Sequence, residues 1–357
     1  MNTSSMTCVG WSTAGRGERF SHASEKYNHI WLVERIRFAE LGWEDVFFAE
    51  CTAAFPAVQK LSLALEATHE VYFMVVGPEN LGWPCRRPRM LAVGFNRKTM
   101  KFVGDDEWVR DFKDKHFKAT HLTGKHLLTA EEPERWAYYR SLAHAQGNHM
   151  SVDDLQCMDN EELLSVLLPP GQLRIRKQYK EVYNLYCSLG GCMIADLEQN
   201  FGTGCSTPGP DVPCLLTHGH LMSFEHEPQA RPVLFTPLEH MSIQGIHVHD
   251  MSTMDFEEIK IAPMLRNLSK RPVKKLAGNA INNHVLSAFW LYMMSNVRRV
   301  PPLNPQQGHP APAPEHPELE DGEDGDGDDE PSSSQASQVP SLQSVNHSAL
   351  SDADTLH

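Results

Sequence analysis

The chain reads Val46-Phe47-Phe48-Ala49-Glu50, a short apolar run that ends on a carboxylate. A run that is apolar at consecutive positions is typical of a strand that is buried on both faces. Similar runs occupy residues 71–76 and 90–95, and stretches with helical spacing lie between and before them. This alternation predicts an α/β fold with a mainly parallel sheet.

The predicted helices differ along the chain. The first spans residues 25–41 and is predicted to be amphipathic, with its apolar face at the helical spacing of Ile30, Val33, Ile36, Arg37 and Leu41. A second begins at Pro56. Beyond residue 96 the helical stretches are rich in charged and aromatic residues and cover 106–116, 131–146, 159–168 and 174–187. Residues 188–230 have little periodicity, and residues 1–7 are polar and predicted to be shapeless. The apolar stretch 280–297 has helical spacing and should pack on the sheet.

The acidity of the chain is concentrated at its end. The 357 residues carry a formal net charge of −14, and residues 301–357 hold twelve Asp or Glu and no Lys or Arg, which leaves about −2 for the rest. Such composition cannot bury enough apolar surface to fold, so a disordered tail is predicted there. No secretory signal or membrane span is recognisable, which predicts a soluble intracellular protein with no membrane partner.

Several chemistry-bearing motifs occur in a fixed order. A thiol lies in a glycine-rich segment, Cys8-Val9-Gly10-Trp11-Ser12-Thr13-Ala14-Gly15. Two arginines, Arg87 and Arg89, follow Gly82-Trp83-Pro84-Cys85, and far downstream come Thr236-Pro237-Leu238-Glu239, Gln244-Gly245 and Leu276-Ala277-Gly278-Asn279-Ala280. This ordered set resembles one family, the cytosine-5 DNA methyltransferases.

The resemblance implies a site and a reaction. Cys8 matches the family's nucleophile, which adds to C6 of a flipped cytosine so that C5 can take a methyl group. Glu50 matches the acid that hydrogen-bonds N3, and Arg87 and Arg89 match the pair that steadies the base. The chain departs from the family pattern near these residues, at Thr7, Val9, Cys51, Thr52 and Cys85.

The resemblance also implies a domain order. The expected fold is a partial Rossmann-like, S-adenosylmethionine-dependent methyltransferase sheet with an inserted recognition-like region. The segments are a catalytic fragment at 1–96, a target-recognition-like insertion at 97–230, a return to the catalytic domain with its last helix at 231–300, and the disordered acidic tail at 301–357. Thr236 to Glu239 and Gln244-Gly245 match a structural segment at the base of the recognition region.

The cofactor implied by the resemblance is S-adenosylmethionine. Gly278 and Asn279 match the segment that opens the family's last helix and completes the cofactor pocket, whereas the family's glycine-rich cofactor loop would precede Cys8. Three explanations stay open: an incomplete copy of a longer protein, a separate subunit that carries the cofactor half, or a degenerate relative. In each case we expect the chain alone to be inactive.

Rival functions are a catalytically inactive DNA-binding or scaffold relative and a zinc-dependent module. The His-rich stretch with His218, His220, His226, His247 and His249 lacks further ligand spacing, so no metal is predicted. DNA is the predicted partner, with a nuclear location if the source is eukaryotic. Two basic stretches could follow a phosphate backbone or be plain helix surface, namely Lys270, Arg271, Lys274 and Lys275, and Arg174, Arg176, Lys177 and Lys180 with Tyr179 and Tyr183.

Overall fold

The structure is a computed structural model that describes residues 2–6, 10–11, 18–119, 122–187, 192–201, 209–224, 233–246, 264–265 and 267–301. Only the backbone is described for residues 2–5 and 185–187. The predicted tail lies outside the described residues apart from residue 301. Within the described ranges, no helix has both the length and the apolar character needed to cross a bilayer. The intracellular and nuclear location stays a prediction.

The α/β fold is confirmed, and its central sheet has four strands in the order β1-β2-β4-β3. They are β1 (Asn2–Ser5), β2 (Val46–Thr52), β3 (His69–Val76) and β4 (Arg89–Asn96). Strand β1 is parallel to β2, whereas β4 lies antiparallel to both β2 and β3. The prediction of a mainly parallel sheet is therefore wrong for the pairing of these strands. The chain turns back between β3 and β4 without a crossover helix, and a short connection suits antiparallel neighbours.

Strand β1 contradicts the prediction that residues 1–7 are shapeless. Its residues pair with those of β2 in register, so that Ser5 lies opposite Glu50. The Met6 amide continues the ladder and donates to the Glu50 carbonyl at 3.0 Å. Ladder hydrogen bonds come from the backbone, so a polar segment can form a strand without the apolar run by which a strand is recognised in sequence.

Both faces of the sheet are covered, as the apolar run in β2 predicts. Val46 and Phe48 belong to a core that includes Phe289 of α9 (Asn283–Ser295), and the Phe48 and Phe289 ring centroids are 6.0 Å apart. Phe47 belongs to the core on the other face. Alternate side chains of a strand point to opposite faces, so both cores draw on the same run. The predicted packing of the last helix on the sheet is confirmed.

Helix α1 (Glu25–Glu40) is confirmed in position, but its predicted apolar face is wrong. Ile30 and Val33 are 54% and 51% exposed, whereas Arg35 is buried. Arg35 turns inward because its guanidinium donates to the buried carboxylate of Glu44. An inward ion pair leaves no mark in apolar periodicity, which is the signal that predicted the face.

Gly42 ends α1, and Pro56 precedes the second predicted helix. Gly42 takes φ of 71°, a conformation that glycine adopts at little cost, and ends α1 as predicted. After Pro56 the chain forms only a short helical turn, Val58–Ser62. Leu61 of this turn is buried under the sheet.

The middle of the chain is helical, as predicted, with one helix more than expected. The helices are α2 (Trp108–His116), α3 (Glu132–Ala145), α4 (Val152–Cys157), α5 (Asn160–Leu167) and α6 (Pro170–Cys187). Helix α4 was not predicted because six residues are too few to show helical periodicity. The predicted segment boundaries stay predictions.

A second sheet lies where the sequence shows little periodicity. Its strands are β6 (Met193–Asp196), β7 (Leu221–Phe224) and β8 (Val233–Leu234), all antiparallel. The sheet packs on α3, α5 and α6 in one apolar core. Strands of two to four residues are too short for alternation to be recognised.

Two further helices and a ribbon complete the fold. Helices α7 (Pro237–Ile243) and α8 (Lys270–Asn279) pack together and share an apolar core with β6 and β7 of the second sheet. Strand β5 (Met100–Phe102) pairs with β9 (Val297–Arg299), which follows α9.

Candidate active site

Glu50 lies near the end of β2, where its carboxyl group meets an arginine. The side chain is largely buried, and its Oε1 is 3.1 Å from Nε of Arg89. Arg89 is the first residue of β4 and lies opposite Thr52 in the ladder. The antiparallel insertion of β4 therefore brings the two predicted site residues into contact. A guanidinium suits such a pair because it is planar, always charged and rich in donors.

Arg87 precedes β4 and is buried, with 5% of its surface exposed. Its Nη1 donates to the Leu215 carbonyl at 2.9 Å and its Nη2 to the Gly278 carbonyl at 2.7 Å. Burial lowers the pKa of Arg87, and the charge of Arg89 adds to that effect. The two carbonyls offset the cost of removing the guanidinium from water. Arg87 therefore ties the central sheet to α8 and to the segment before β7.

Cys214 joins the two arginines, and sequence reasoning gave it no role. Its Sγ is 3.6 Å from Nη1 of Arg87 and 3.9 Å from Nη2 of Arg89. These contacts span 127 and 125 residues of chain, so no local motif could reveal them. Cys85, by contrast, is fully buried, and burial raises the pKa of its thiol. Cys85 is therefore held as an inert thiol.

Together these side chains form a compact polar cluster, consisting of Glu50, Arg87, Arg89 and Cys214. The cluster combines one carboxyl group with two planar sets of N–H donors. Such groups can orient a flat ligand that carries ring nitrogens or an anionic phosphate, because guanidinium donors match both in geometry. The chemistry available from these four residues is binding and orientation of a polar ring.

Gly278 lies where two backbone segments touch. A Cβ atom there would lie 2.5 Å from both Cα and N of Thr217 and 2.7 Å from the Leu216 carbonyl carbon. No real Cβ tolerates such contacts with backbone. The glycine thus allows the segment before β7 to approach α8, and its carbonyl accepts from Arg87. The structure gives Gly278 a packing reason that is separate from its predicted cofactor contact.

Replacing Gly278 with alanine is expected to lower the free energy of unfolding by about 1–3 kcal/mol, because overpacking forces backbone to move. Gly171 in α6 is the matched control, since a Cβ there meets nothing within 4 Å. Gly171→Ala should be neutral or stabilise by up to about 1 kcal/mol. Urea denaturation of both variants measures the difference, and equal free energies for the two would contradict the close approach.

Asn279 is the exposed last residue of α8 and does not open the last helix. Asn282 caps that helix instead, because its side chain accepts from the amides of His284 at 3.1 Å and Val285 at 3.2 Å. The prediction that Gly278 and Asn279 open the last helix is therefore wrong. These residues end α8, and the last helix, α9, begins at Asn283.

The Thr236–Glu239 segment forms a capping box at the start of α7. The Glu239 amide donates to Thr236 Oγ1 at 3.3 Å, and the Thr236 amide donates to Glu239 Oε2 at 2.7 Å. At the other end of α7, the Gln244 side chain donates to the Ala277 carbonyl at 3.0 Å. These contacts hold α7 against α8, one residue before Gly278.

Cys8, the predicted nucleophile, lies outside the described residues. Its described neighbours on either side are held. Met6 is hydrogen-bonded to Glu50, and the carbonyl of Gly10 accepts from the Arg19 amide at 3.0 Å. Trp11 is buried and donates from Nε1 to Oε1 of Glu25 at 2.7 Å.

The structure also describes part of the His-rich stretch and the helix with the basic-aromatic face. Among the described residues no three His, Cys, Asp or Glu side chains cluster as metal ligands, and His226, His247 and His249 lie outside those residues. In α6, the helix with the predicted basic-aromatic face, Tyr179 and Tyr183 belong to the apolar core and cannot stack on nucleotide bases. This favours the alternative prediction, that the face is ordinary helix surface.

The basic run in α8 divides into exposed and buried residues. Lys270, Arg271 and Lys275 are exposed. Lys274 is buried, donates to the Gly219 carbonyl at 3.1 Å, and has its pKa lowered by burial to about 8.

Comparison with known proteins gives no matching protein-family model and no matching curated protein. Similar solved structures include the methyltransferase EhMeth of Entamoeba histolytica, with 12% identity over 82% of this chain and 76% of that chain and a TM-score of 0.42. Others are the Dnmt2 methyltransferase of S. pombe (13% identity, 82% and 76%, TM-score 0.41) and a putative DNA modification methyltransferase encoded within an E. coli prophage (14%, 82% and 78%, TM-score 0.40). Each of these solved structures is named as a methyltransferase.

Proposed function

We propose that this chain supplies the nucleophile and the base-binding residues for methylation of C5 of a flipped cytosine in DNA, with Cys8 as nucleophile and Glu50, Arg87 and Arg89 as the residues that hold the base. The observation that supports this most is the contact between Glu50 and Arg89, at the strand end beside which β1 runs. Arg87, two residues before Arg89, donates to the Gly278 carbonyl, so residues of three motifs that are distant in sequence lie in this part of the fold.

The strand pairing supports a position for Cys8 close to Glu50. The Met6 amide is bonded to the Glu50 carbonyl, and Cys8 follows Met6 by two residues. Two residues of chain extend at most about 7 Å. A pyrimidine ring that contacts Glu50 is therefore within reach of a thiol at residue 8.

In the proposed reaction the Cys8 thiolate forms a bond to C6, and the electrons of the C5–C6 double bond make C5 nucleophilic. Glu50 hydrogen-bonds the ring at N3 and offsets the charge that develops there. After C5 has taken the methyl group, a water molecule accepts the C5 proton, the electrons of the C5–H bond re-form the C5–C6 double bond, and the S–C6 bond breaks to release the Cys8 thiolate. Arg87 and Arg89 orient the base and its phosphate throughout.

S-adenosylmethionine supplies the methyl group in this class of reaction. Of the two residues predicted to reach it, Asn279 is exposed, whereas the Cα of Gly278 packs against Thr217. Of these two residues, Asn279 is therefore the more accessible to a bound cofactor. No step assigned to Cys8, Glu50 or the arginines depends on this contact.

A second candidate function is a DNA-binding or scaffold relative without catalysis. It is favoured by the replacement of the family's supporting amide beside Glu50 by Cys51, which is buried and apolar in character. The two functions differ in one property. The enzyme forms a covalent bond from Cys8 to the base, and the binding module does not.

A covalent trap tests the proposal without requiring methyl transfer. The full chain is incubated with a pool of duplexes that carry 2-pyrimidinone at one position between randomised flanks, because C6 of this base accepts a thiol directly. We expect a denaturant-resistant adduct that is lost in Cys8→Ser and retained in Cys157→Ser, a variant at an exposed cysteine.

The other outcomes decide against the proposal. An adduct that survives in Cys8→Ser would assign the chemistry to another thiol. Duplex binding without any adduct would establish the binding module instead, and absence of both binding and adduct would contradict both functions.

A further inference from the structure

The outward face of α1 carries a seam of residues that recur at alternating intervals of three and four positions. Its members lie within the helix or directly after it, namely Tyr27, Ile30, Glu34, Arg37 and Leu41. The three apolar members are each about half exposed. These intervals are those of the a and d positions through which two helices pack against each other. The seam therefore has the pattern of a helix-packing surface.

The domain itself does not use this seam. Helix α1 is held to its own sheet by other side chains, which include Asn28, Leu32, Arg35 and Ala39. At 3.6 residues per turn, these residues and the seam lie on opposite sides of the helix. Packing within the domain therefore gives no reason for apolar residues at the seam.

Apolar surface continues on both sides of the seam. Val33 flanks it and is half exposed, and Trp43, which follows Gly42 at the end of α1, is 68% exposed. The Trp43 ring is held beside the helix, because its centroid lies 5.8 Å from that of the Phe38 ring. Contiguous apolar surface of this kind marks an interaction site on a folded domain.

The two charged residues of the seam are complementary to each other. In their own chain, Glu34 approaches only to 3.9 Å of its neighbour Arg35, and Arg37 makes no ion pair with a described side chain. If a second copy of α1 runs antiparallel about a two-fold axis between positions 35 and 36, Glu34 of each copy faces Arg37 of the other. A parallel pair would instead place like charges opposite each other, which is unfavourable.

The apolar residues follow the same symmetry. About that axis, Ile30 of each copy faces Leu41 of the other, and Tyr27 faces the region of Trp43. A two-fold interface requires that if one residue contacts a second, the second contacts the first in the other copy. Both the charges and the apolar residues of the seam meet this requirement, so the partner that suits the seam is α1 itself.

We propose that α1 is a homodimer interface, in which two copies of the chain pack their seams antiparallel. The helix has 16 residues and is about 24 Å long. One helix from each copy covers less than the roughly 800 Å² per partner that is usual in stable complexes. The dimer is therefore weak, with a Kd of about 10–100 µM.

Sedimentation velocity of the full chain over a range of concentrations tests the charged contacts. Glu34→Arg and Arg37→Glu should each raise the Kd at least tenfold, because like charges then face each other twice. An equimolar mixture of these two variants should form a heterodimer, since every contact between positions 34 and 37 then joins opposite charges. Glu181→Arg is the matched control, because Glu181 is an exposed residue of α6, which packs in another core.

The apolar contacts are tested by Ile30→Ser, which should also raise the Kd at least tenfold. Leu291→Ser is its control, because Leu291 of α9 is similarly exposed and lies outside the seam. Urea denaturation checks that every variant is folded. A chain that stays monomeric tenfold above the expected Kd would leave the seam to a different protein and overturn the proposal. A dimer that persists in Glu34→Arg, or mixed variants that stay monomeric, would overturn it as well.

Discussion

Replacing Glu239 with alanine is expected to lower the free energy of unfolding by about 3–5 kcal/mol. Glu239 is fully buried. Its Oε1 accepts from the Ala130 amide and from Nη2 of Arg135, both at 2.8 Å, and its Oε2 accepts from the Thr236 amide at 2.7 Å. One carboxylate therefore satisfies two backbone amides and a guanidinium that is only 16% exposed.

The large effect follows from what the truncation leaves behind. Without the carboxylate, Arg135 keeps a poorly hydrated charge and the amides of Ala130 and Thr236 lose their acceptors. Each unsatisfied buried group costs about 1–3 kcal/mol, and an uncompensated charge costs more. The capping box of α7 is lost at the same time, which adds about 1 kcal/mol.

Glu107 provides the matched control, because it is also a carboxylate paired with arginine. Its partner is Arg110, and both side chains are exposed, by 57% for Glu107 and 71% for Arg110. Water replaces such a partner readily, so Glu107→Ala should cost less than about 1 kcal/mol. Urea denaturation gives both values. A Glu239→Ala cost as small as that of Glu107→Ala would show that burial of the ion pair does not determine its contribution to stability.

The strands that the sequence could predict are those whose apolar side chains cover both faces of the sheet. Strands β2, β3 and β4 are of this kind, and each was found within two or three residues of its observed bounds. Strand β1 escaped prediction because it is polar and pairs through its backbone at the sheet edge. The direction of β4 also escaped, because periodicity says nothing about which way a strand runs.

The sequence likewise predicted some residues of the candidate site and missed others. Glu50, Arg87 and Arg89 were recognisable because each belongs to a short motif with a fixed spacing to a strand. Cys214 was not, because its contacts to the arginines depend on how a distant segment folds over β4. The packing of Gly278 against Thr217 was hidden for the same reason. A short sequence motif can identify a candidate functional residue, whereas a contact between distant segments can be recognised only in the folded structure.

Replacing Glu50 with glutamine is expected to slow formation of the Cys8 adduct with a 2-pyrimidinone duplex at least about a hundredfold. Glutamine keeps the size of the side chain but cannot exchange a proton with the ring. It also loses the charge that pairs with Arg89, whose Nε is 3.1 Å from the carboxyl oxygen. Glu66→Gln, an exposed position outside the cluster, is the control and should react at the rate of the unmodified chain.

Arg89→Lys tests whether the arginine acts through Glu50. Lysine keeps the charge but loses the planar donors that fix the carboxyl group. If Arg89 works by positioning Glu50, the double variant should react no more slowly than Glu50→Gln alone, since coupled residues are not additive. Urea denaturation of all variants separates loss of chemistry from loss of fold. Adduct formation by a folded Glu50→Gln variant within twofold of the unmodified rate would remove Glu50 from the mechanism.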